Sequence, residues 1–269
     1  MIDASLNLDL TAVALAALTC AVLLESVAPL RPANALGTRW LHNGSLALIT
    51  YLTSYFLITA VAVWCLDHAR RSVGDASINL SLNDSLWTQC VAVFFAQEFF
   101  RYGIHWLSHK VPLLWRFHAV HHADPEVDAA TAFRHHPFEG LIGVIPITLL
   151  TFLLGAAPEV LIWYRAADLL MTVFTHLNAR IPKNLESAIG YILVTPRFHR
   201  THHFSEHLYT DSNYGAMTPW FDWLFGTYRR VSDSQNCSAD LGLGWQPEAS
   251  ERLNRLLLAP FVKAPESKP

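Results

Sequence analysis

His105 and His109 stand four residues apart, and His118, His121 and His122 follow as H-x-x-H-H; the same pattern returns at His199, His202 and His203. On a helix, positions i, i+3 and i+4 share one face, so each box predicts imidazoles aimed at a common point. Imidazole is the commonest nitrogen ligand for iron, zinc and copper. The three boxes hold eight histidines, more than the roughly four to six ligands of a single ion, and so predict two metals. An all-nitrogen set suits iron, and zinc accepts it as a substitute. His176, alone at the end of an apolar arm and returned to the side of the boxes, is expected as a further ligand.

Two carboxylates stand close to this set in sequence. Glu98, Arg101, Tyr102, His105 and His109 follow one helical stripe, which reads Glu98 as an acceptor orienting a ligating imidazole. A plain ion pair with Arg101 is the alternative. Glu139, behind Arg134-His135-His136-Pro137-Phe138, is the second acid expected to tune ligands or deliver protons. His135 and His136 form no i, i+4 pair, and the sequence leaves open whether they ligate or only support ligands.

The elements that must carry these residues are apolar. The chain is 52% hydrophobic and 15% charged, against about 25% charged in an average soluble chain, and its mean hydropathy is +0.25. These values predict an all-α integral membrane protein, with about four transmembrane or re-entrant helices carrying a cytosolic helical domain of histidine boxes. Thr11–Leu30, Gly44–Leu66 and Leu86–Ile104 are the expected spans, each near the ~20 residues a bilayer requires. Gly140–Gly155 and Val160–Thr175 form a re-entrant hairpin or two tilted spans. Residues 1–85 are then anchor helices and loop, 86–230 the catalytic domain, and 231–269 a tail, partly disordered. The N-terminus lacks a basic n-region, so the first apolar stretch is expected to stay as an anchor.

Placing most basic residues inside turns the boxes towards the cytoplasm, as in a bacterial inner membrane. A net charge of −3 gives no footprint for nucleic acid. The four cysteines form no C-x-x-C pair and imply no disulfide framework. No glycine-rich nucleotide loop is present, so a flavin or nicotinamide has to come with another protein.

From about Trp87 to Tyr228 the sequence resembles the fatty acid hydroxylase superfamily, also called the sterol desaturase family. The resemblance rests on the two box types, on Arg134-His135-His136-Pro137, and on Thr195-Pro196-Arg197-Phe198-His199-Arg200-Thr201-His202-His203. Asp211-Ser212-Asn213-Tyr214-Gly215 and Trp220-Phe221-Asp222-Trp223-Leu224-Phe225-Gly226-Thr227, similar to the family's W-x-x-x-F-G-T closure, complete it. The wording is most similar to the bacterial sterol-desaturase-like and alkylglycerol monooxygenase-like branches. The resemblance implies a membrane-bound non-haem di-iron enzyme that hydroxylates or desaturates an aliphatic C–H of a lipid or sterol-like substrate. It uses O₂ and two electrons from an external donor, a cytochrome, ferredoxin or reductase. Family ligands map onto His105, His109, His118, His121, His122, His199, His202 and His203, and His176 matches the family's isolated histidine. Thr172 and Arg180 stand where some branches have a further ligand. Phe94, Phe95, Phe99 and the hairpin faces are expected to line an apolar substrate slot.

Three other readings compete. A membrane zinc hydrolase would use fewer histidines, and there is no H-E-x-x-H. A metal transporter would hold its ligands at mid-bilayer depth, and a haem anchor needs only paired histidines within spans.

Overall fold

Runs rich in Leu, Ala and Phe make the long helices, and Pro, Ser and Thr mark their starts. The computed structural model describes residues 4–32, 37–53, 85–140, 156–243 and 252–262, with isolated positions between 56 and 68 and between 142 and 154. In chain order the helices are α1 (Ala4–Val27), α2 (Thr38–Thr53), α3 (Leu86–Lys110), α4 (Pro112–His122) and α5 (Pro158–Thr175). The shorter α6 (Lys183–Ile189), α7 (Pro196–His202), α8 (His207–Thr210), α9 (Trp220–Phe225), α10 (Asp233–Ser238) and α11 (Leu253–Leu258) follow. No strand occurs among the described residues; two isolated bridges join Pro29 to Ala179 and Phe204 to Leu241.

Two junctions position the site. Val111 is the only residue between α3 and α4: its N–H closes α3 on Leu107 O at 2.8 Å, and Pro112 opens α4 with a fixed φ. This corner folds the last turn of α3, with His109, back onto the histidine face of α4. Likewise Thr195 caps α7 by accepting from Phe198 N at 3.3 Å, and Pro196 follows at the first helical position. The third box thus begins at a fixed helix start.

Helix α5 packs against α1, α3 and α7. The apolar clusters are small: Leu46, Val120 and Leu256 form one, and Val93, Val160, Tyr164 and Met217 another. The largest fully buried side chains are instead mostly polar, with Arg134, Arg200, Tyr214 and several histidines foremost. A polar interior is held only where every group finds a partner, and the partners here are built in. Glu25, the one acid in the first apolar run, accepts from Ala129 N and Asn178 N, both at 2.9 Å, and ties α1 to the loops on either side of the site.

The expected spans require correction. Among the described residues no helix is long and apolar enough to cross a membrane. The run expected at Leu86–Ile104 lies in α3, where Gln89, Gln97 and Glu98 interrupt it. Most of residues 54–84, much of 141–155 and all of 263–269 lie outside the described residues. They include most of the second half of the Gly44–Leu66 span, the outer loop, much of the first hairpin arm and the end of the tail, whose residues 231–243 and 252–262 are described and carry α10 and α11.

Gly215 sits where no side chain fits. A Cβ there would lie 2.4 Å from Thr218 O and 3.0 Å from Asp222 Oδ2. Gly215→Ala is expected to cost about 2 kcal/mol or more, since backbone must move to admit the methyl group. Chemical denaturation of the two proteins checks it.

Candidate metal centre

Nine buried or nearly buried histidines converge in two neighbouring sets. His105, His109, His118, His122 and His202 form one, and His121, His176, His199 and His203 the other; within each set the ligand nitrogens lie within 4.8 Å of one another. The sets touch: the rings of His122 and His203 stack with centroids 4.6 Å apart. All nine expected ligands are therefore brought together, His176 included.

The boxes do not aim as the spacing suggested. Each H-x-x-H-H straddles both sets: His118 and His122 enter the first while His121 enters the second, and His199 and His203 enter the second while His202 enters the first. Consecutive helical residues point about 100° apart, and His121 and His122, with rings at 89°, enter different sets. Two helices presenting the same box from opposite sides make two positions.

Backbone carbonyls and one carboxylate fix the tautomers. His105 Nδ1–H donates to Tyr214 O at 2.8 Å, His202 Nδ1–H to Ser212 O at 2.7 Å, and His176 Nδ1–H to Thr172 O at 2.7 Å. His121 Nδ1–H donates to Arg134 O at 3.2 Å, and His118 Nδ1–H to Glu139 Oε1 at 2.7 Å. An acceptor-only partner requires the proton on Nδ1, leaving Nε2 bare and inward. His121 Nε2 and His176 Nε2 then face each other at 3.3 Å as two lone pairs. His105 Nε2 and His202 Nε2 are buried with no hydrogen-bond partner among the described residues. Buried acceptors facing one another are unfavourable unless a cation lies between them. The donor set fits metal ions.

Burial also favours the neutral form that ligands need in seven of the nine rings. It pushes His105, His121, His122, His199 and His203 well below the ordinary histidine value. His176 is pushed down to about 4 and His202 to about 3, again mainly by burial. Burial raises the Glu139 carboxyl, but the adjacent His135 and His118 rings outweigh it and hold Glu139 well below the carboxylate range. Glu139→Gln keeps the shape but removes the charge that polarises His118. Metal affinity is expected to fall roughly ten- to a hundredfold, measured by competition with a chromophoric chelator.

Glu139 thus lies where the sequence expected it, joined also to His135 Nδ1 at 3.2 Å. His135 stacks flat on His121, with centroids 4.4 Å apart and planes 9° apart. His136 turns away towards Leu257 O at 3.2 Å. Glu98 requires correction: it orients no imidazole. It accepts from Met217 N at 3.0 Å, Thr218 N at 2.9 Å and the Tyr164 hydroxyl at 3.3 Å, so it joins α3 to α5 and to the loop before α9. Arg101 pairs with Asp168 at 2.5 Å, across to α5.

Two supports escape the spacing argument. Asp222 is fully buried and accepts from Tyr214 N at 2.8 Å, Gly215 N at 2.7 Å and Thr227 Oγ1 at 2.7 Å, fixing the loop whose carbonyls hold His105 and His202. Burial pushes its carboxyl up to about 6 against those donors. Asp124 and Asp128, which read as a polar connector, are buried partners of Arg39, at 3.0 Å from Asp124. Asn43 completes that cluster: it donates to Asp124 and accepts from Arg134, whose carbonyl receives His121. A pattern of acids between helices carries no mark of such burial.

The expected slot is present in part. Phe94 and Phe95 line an apolar groove of about 340 Å³ between α3 and α5, with Trp87, Cys90, Trp163 and Tyr164. Phe99 packs on Phe221 instead, at 5.5 Å.

Fold and site define a helical polyhistidine protein built around two adjacent histidine sets that could each hold a metal ion. A family model described as fatty acid hydroxylase matches residues 90–227, and the chain belongs to that family. Over 150 residues it is 32% identical to an ornithine lipid hydroxylase from Rhizobium tropici, covering 54% of this chain and 43% of that protein. Over 153 residues it is 31% identical to the alkylglycerol monooxygenase of Danio rerio, covering 56% of this chain and 32% of that one. A very-long-chain aldehyde decarbonylase from Oryza sativa subsp. indica is 26% identical over 144 residues, covering 51% of this chain and 23% of that protein. The matches thus span less than half of these relatives. No solved structure matches the chain.

Proposed function

We propose that the protein is a membrane-bound di-iron oxygenase that hydroxylates, or desaturates, an aliphatic C–H of a lipid, using O₂ and two external electrons. The observation that carries this reading is the pair of adjacent, largely buried histidine sets inside a fatty acid hydroxylase match. Iron is favoured over zinc because the five-histidine set exceeds the four ligands of a zinc site, and because relatives of this chain are named as a lipid hydroxylase and a monooxygenase.

Membrane residence is supported by where the polar side chains of α3 point. Gln89, Gln97 and Glu98 are buried, whereas Trp87 is 76% and Phe95 48% exposed. That is the reverse of a helix in water, and it suits lipid as the outer solvent. Helix α5 repeats it, with Asp168 buried and Trp163 53% exposed. We place the protein in a bacterial inner membrane with its histidine sets towards the cytoplasm.

Two iron ions, held by the nine histidines, would supply the reducing power that activates O₂. The protein's own part is positional. The groove between α3 and α5 takes the lipid chain and keeps it from water, which raises the effective concentration of one C–H at the site. Glu139, between His118 and the partly exposed His135, holds a proton acceptor beside the first set. The carbonyls of Tyr214, Ser212, Arg134 and Thr172 keep the ligand rings from turning.

Comparative lipid mass spectrometry tests the reading, with wild-type cells set against His202→Ala cells, in air and without it. A lipid gaining one oxygen or losing two hydrogens, only in air and only with His202, is expected. Lipids unchanged by both comparisons would overturn it.

A further inference from the structure

Helix α7 has two faces. His199, His202 and His203 occupy one, and Arg197 and Thr201 lie on the other at 100° per residue, with Phe198 at its edge. Those three residues floor a second cavity of about 300 Å³, walled by Tyr191, Trp223, Tyr228, Arg229 and Arg230. This cleft is separate from the groove between α3 and α5, and no step assigned above uses it.

Three features give the cleft a direction. First, its floor is one residue from metal ligands: Phe198 precedes His199, and Thr201 precedes His202. Second, aromatic rings lead from that floor outward. Phe198 stacks on Tyr228 with centroids 5.7 Å apart, Trp223 meets Tyr228 at 6.2 Å, and Tyr191, 71% exposed, meets Trp223 at 6.2 Å. Third, the rim is cationic. Arg197 is taken by Glu186 and Asp233, but Arg229 and Arg230 are exposed and have no carboxylate partner among the described residues.

The rim is also fixed to the ligand helix. Asn213, in the left-handed region at φ 56°, donates to Phe198 O and Arg229 O, both at 3.0 Å, and accepts from Arg229 N at 2.6 Å. The next residue back, Ser212, holds His202. One short loop therefore couples the arginine rim to a metal ligand.

We infer that this cleft is the docking site of a small acidic one-electron carrier protein, with Arg229 and Arg230 as its charge contacts. The inference rests on the di-iron oxygenase reading. In balance, RH + O₂ + 2e⁻ + 2H⁺ gives ROH + H₂O, and two reduced carriers are each oxidised by one electron. Net positive charge on a chain of net charge −3 selects an acidic partner and speeds its encounter. The covalent link from Phe198 to His199 and the ring series make a connected route from the cleft to the histidine sets.

The test uses the full chain and a plant-type two-iron ferredoxin as the acidic probe. Calorimetry on the metal-free protein is expected to show binding at low salt that weakens as salt rises, and roughly tenfold weaker binding for Arg229→Glu/Arg230→Glu. The Arg229→Lys/Arg230→Lys variant, which keeps the charge, is expected to bind within a few-fold of wild type. Stopped-flow reduction of the ferric, iron-loaded protein is expected to slow about tenfold with ferredoxin for the charge-reversed variant, and to be unchanged with dithionite. Equal binding and equal ferredoxin rates in wild type and the charge-reversed variant would overturn the proposal, as would no binding to wild type. A loss confined to phosphatidylglycerol vesicles would also overturn it, assigning the cleft to the membrane surface. If dithionite finds no reducible iron, the oxygenase reading fails, and the calorimetry still decides the docking site.

Discussion

His176→Ala is expected to halve the bound metal and abolish turnover while leaving the first metal position filled. The reason is the division of ligands. His176 belongs to a set of four, with His121, His199 and His203, whereas the other set has five. Its Nε2 lies 3.0 Å from His199 Nε2 and 3.3 Å from His121 Nε2, so it is in the middle of its set. Three remaining nitrogens hold an ion far more weakly, and the loss exceeds the ten- to hundredfold typical of a supporting residue, roughly a hundredfold or more. Metal analysis after dialysis checks it: about one ion per chain is expected against two for wild type. Retention of both ions would show that His176 is only a neighbour. The same measurement on His109→Ala, in the five-membered set, is expected to give a smaller loss.

Asp222→Ala is expected to be the most destabilising change outside the histidines. Its carboxylate takes three hydrogen bonds, two from the backbone of Tyr214 and Gly215 and one from Thr227. Each bond to a charged group is worth about 1.5–3 kcal/mol, and the two freed N–H groups stay buried. A loss of about 4 kcal/mol follows, read as a shift in the denaturation midpoint at unchanged slope. The site suffers with the fold, because Tyr214 O and Ser212 O hold His105 and His202. Weaker binding at the five-membered set, with the other set retained, distinguishes this from general unfolding. Asp222→Asn keeps one acceptor and is expected to fall between the two.

The residues differ in how much their sequence context says. The histidine boxes are local: helical spacing alone gathers their rings on one side, and nine ligands were legible from it together with the family resemblance. Glu139 reads from the sequence as an acid to tune ligands or deliver protons, and the packing sets it against His118 and His135. Glu98 was misread. A stripe along one helix puts Glu98 on the face of His105, but the backbone amides of Met217 and Thr218, more than a hundred residues away, claim it first. Nothing local announces such a partner. The same holds for Arg39, which reads as one more basic residue beside a span and is buried among Asp124 and Asp128. Burial is a property of the packed chain, and a polar residue bears no sign of it.

The histidines at the α3–α4 corner show where the division falls. By itself the sequence determined which residue type gathers, which nine histidines are candidates and which segments carry them, because these follow from side-chain chemistry and the 3.6-residue turn. It also determined an unusually apolar chain. Only the tertiary structure decided that each box serves two positions, since that depends on α4 and α7 meeting face to face. Only the packing decided which carbonyl sets each tautomer, and that α3 turns its glutamines inward and most of its aromatics outward. Those choices are made by contacts between distant segments, and no spacing within one segment encodes them.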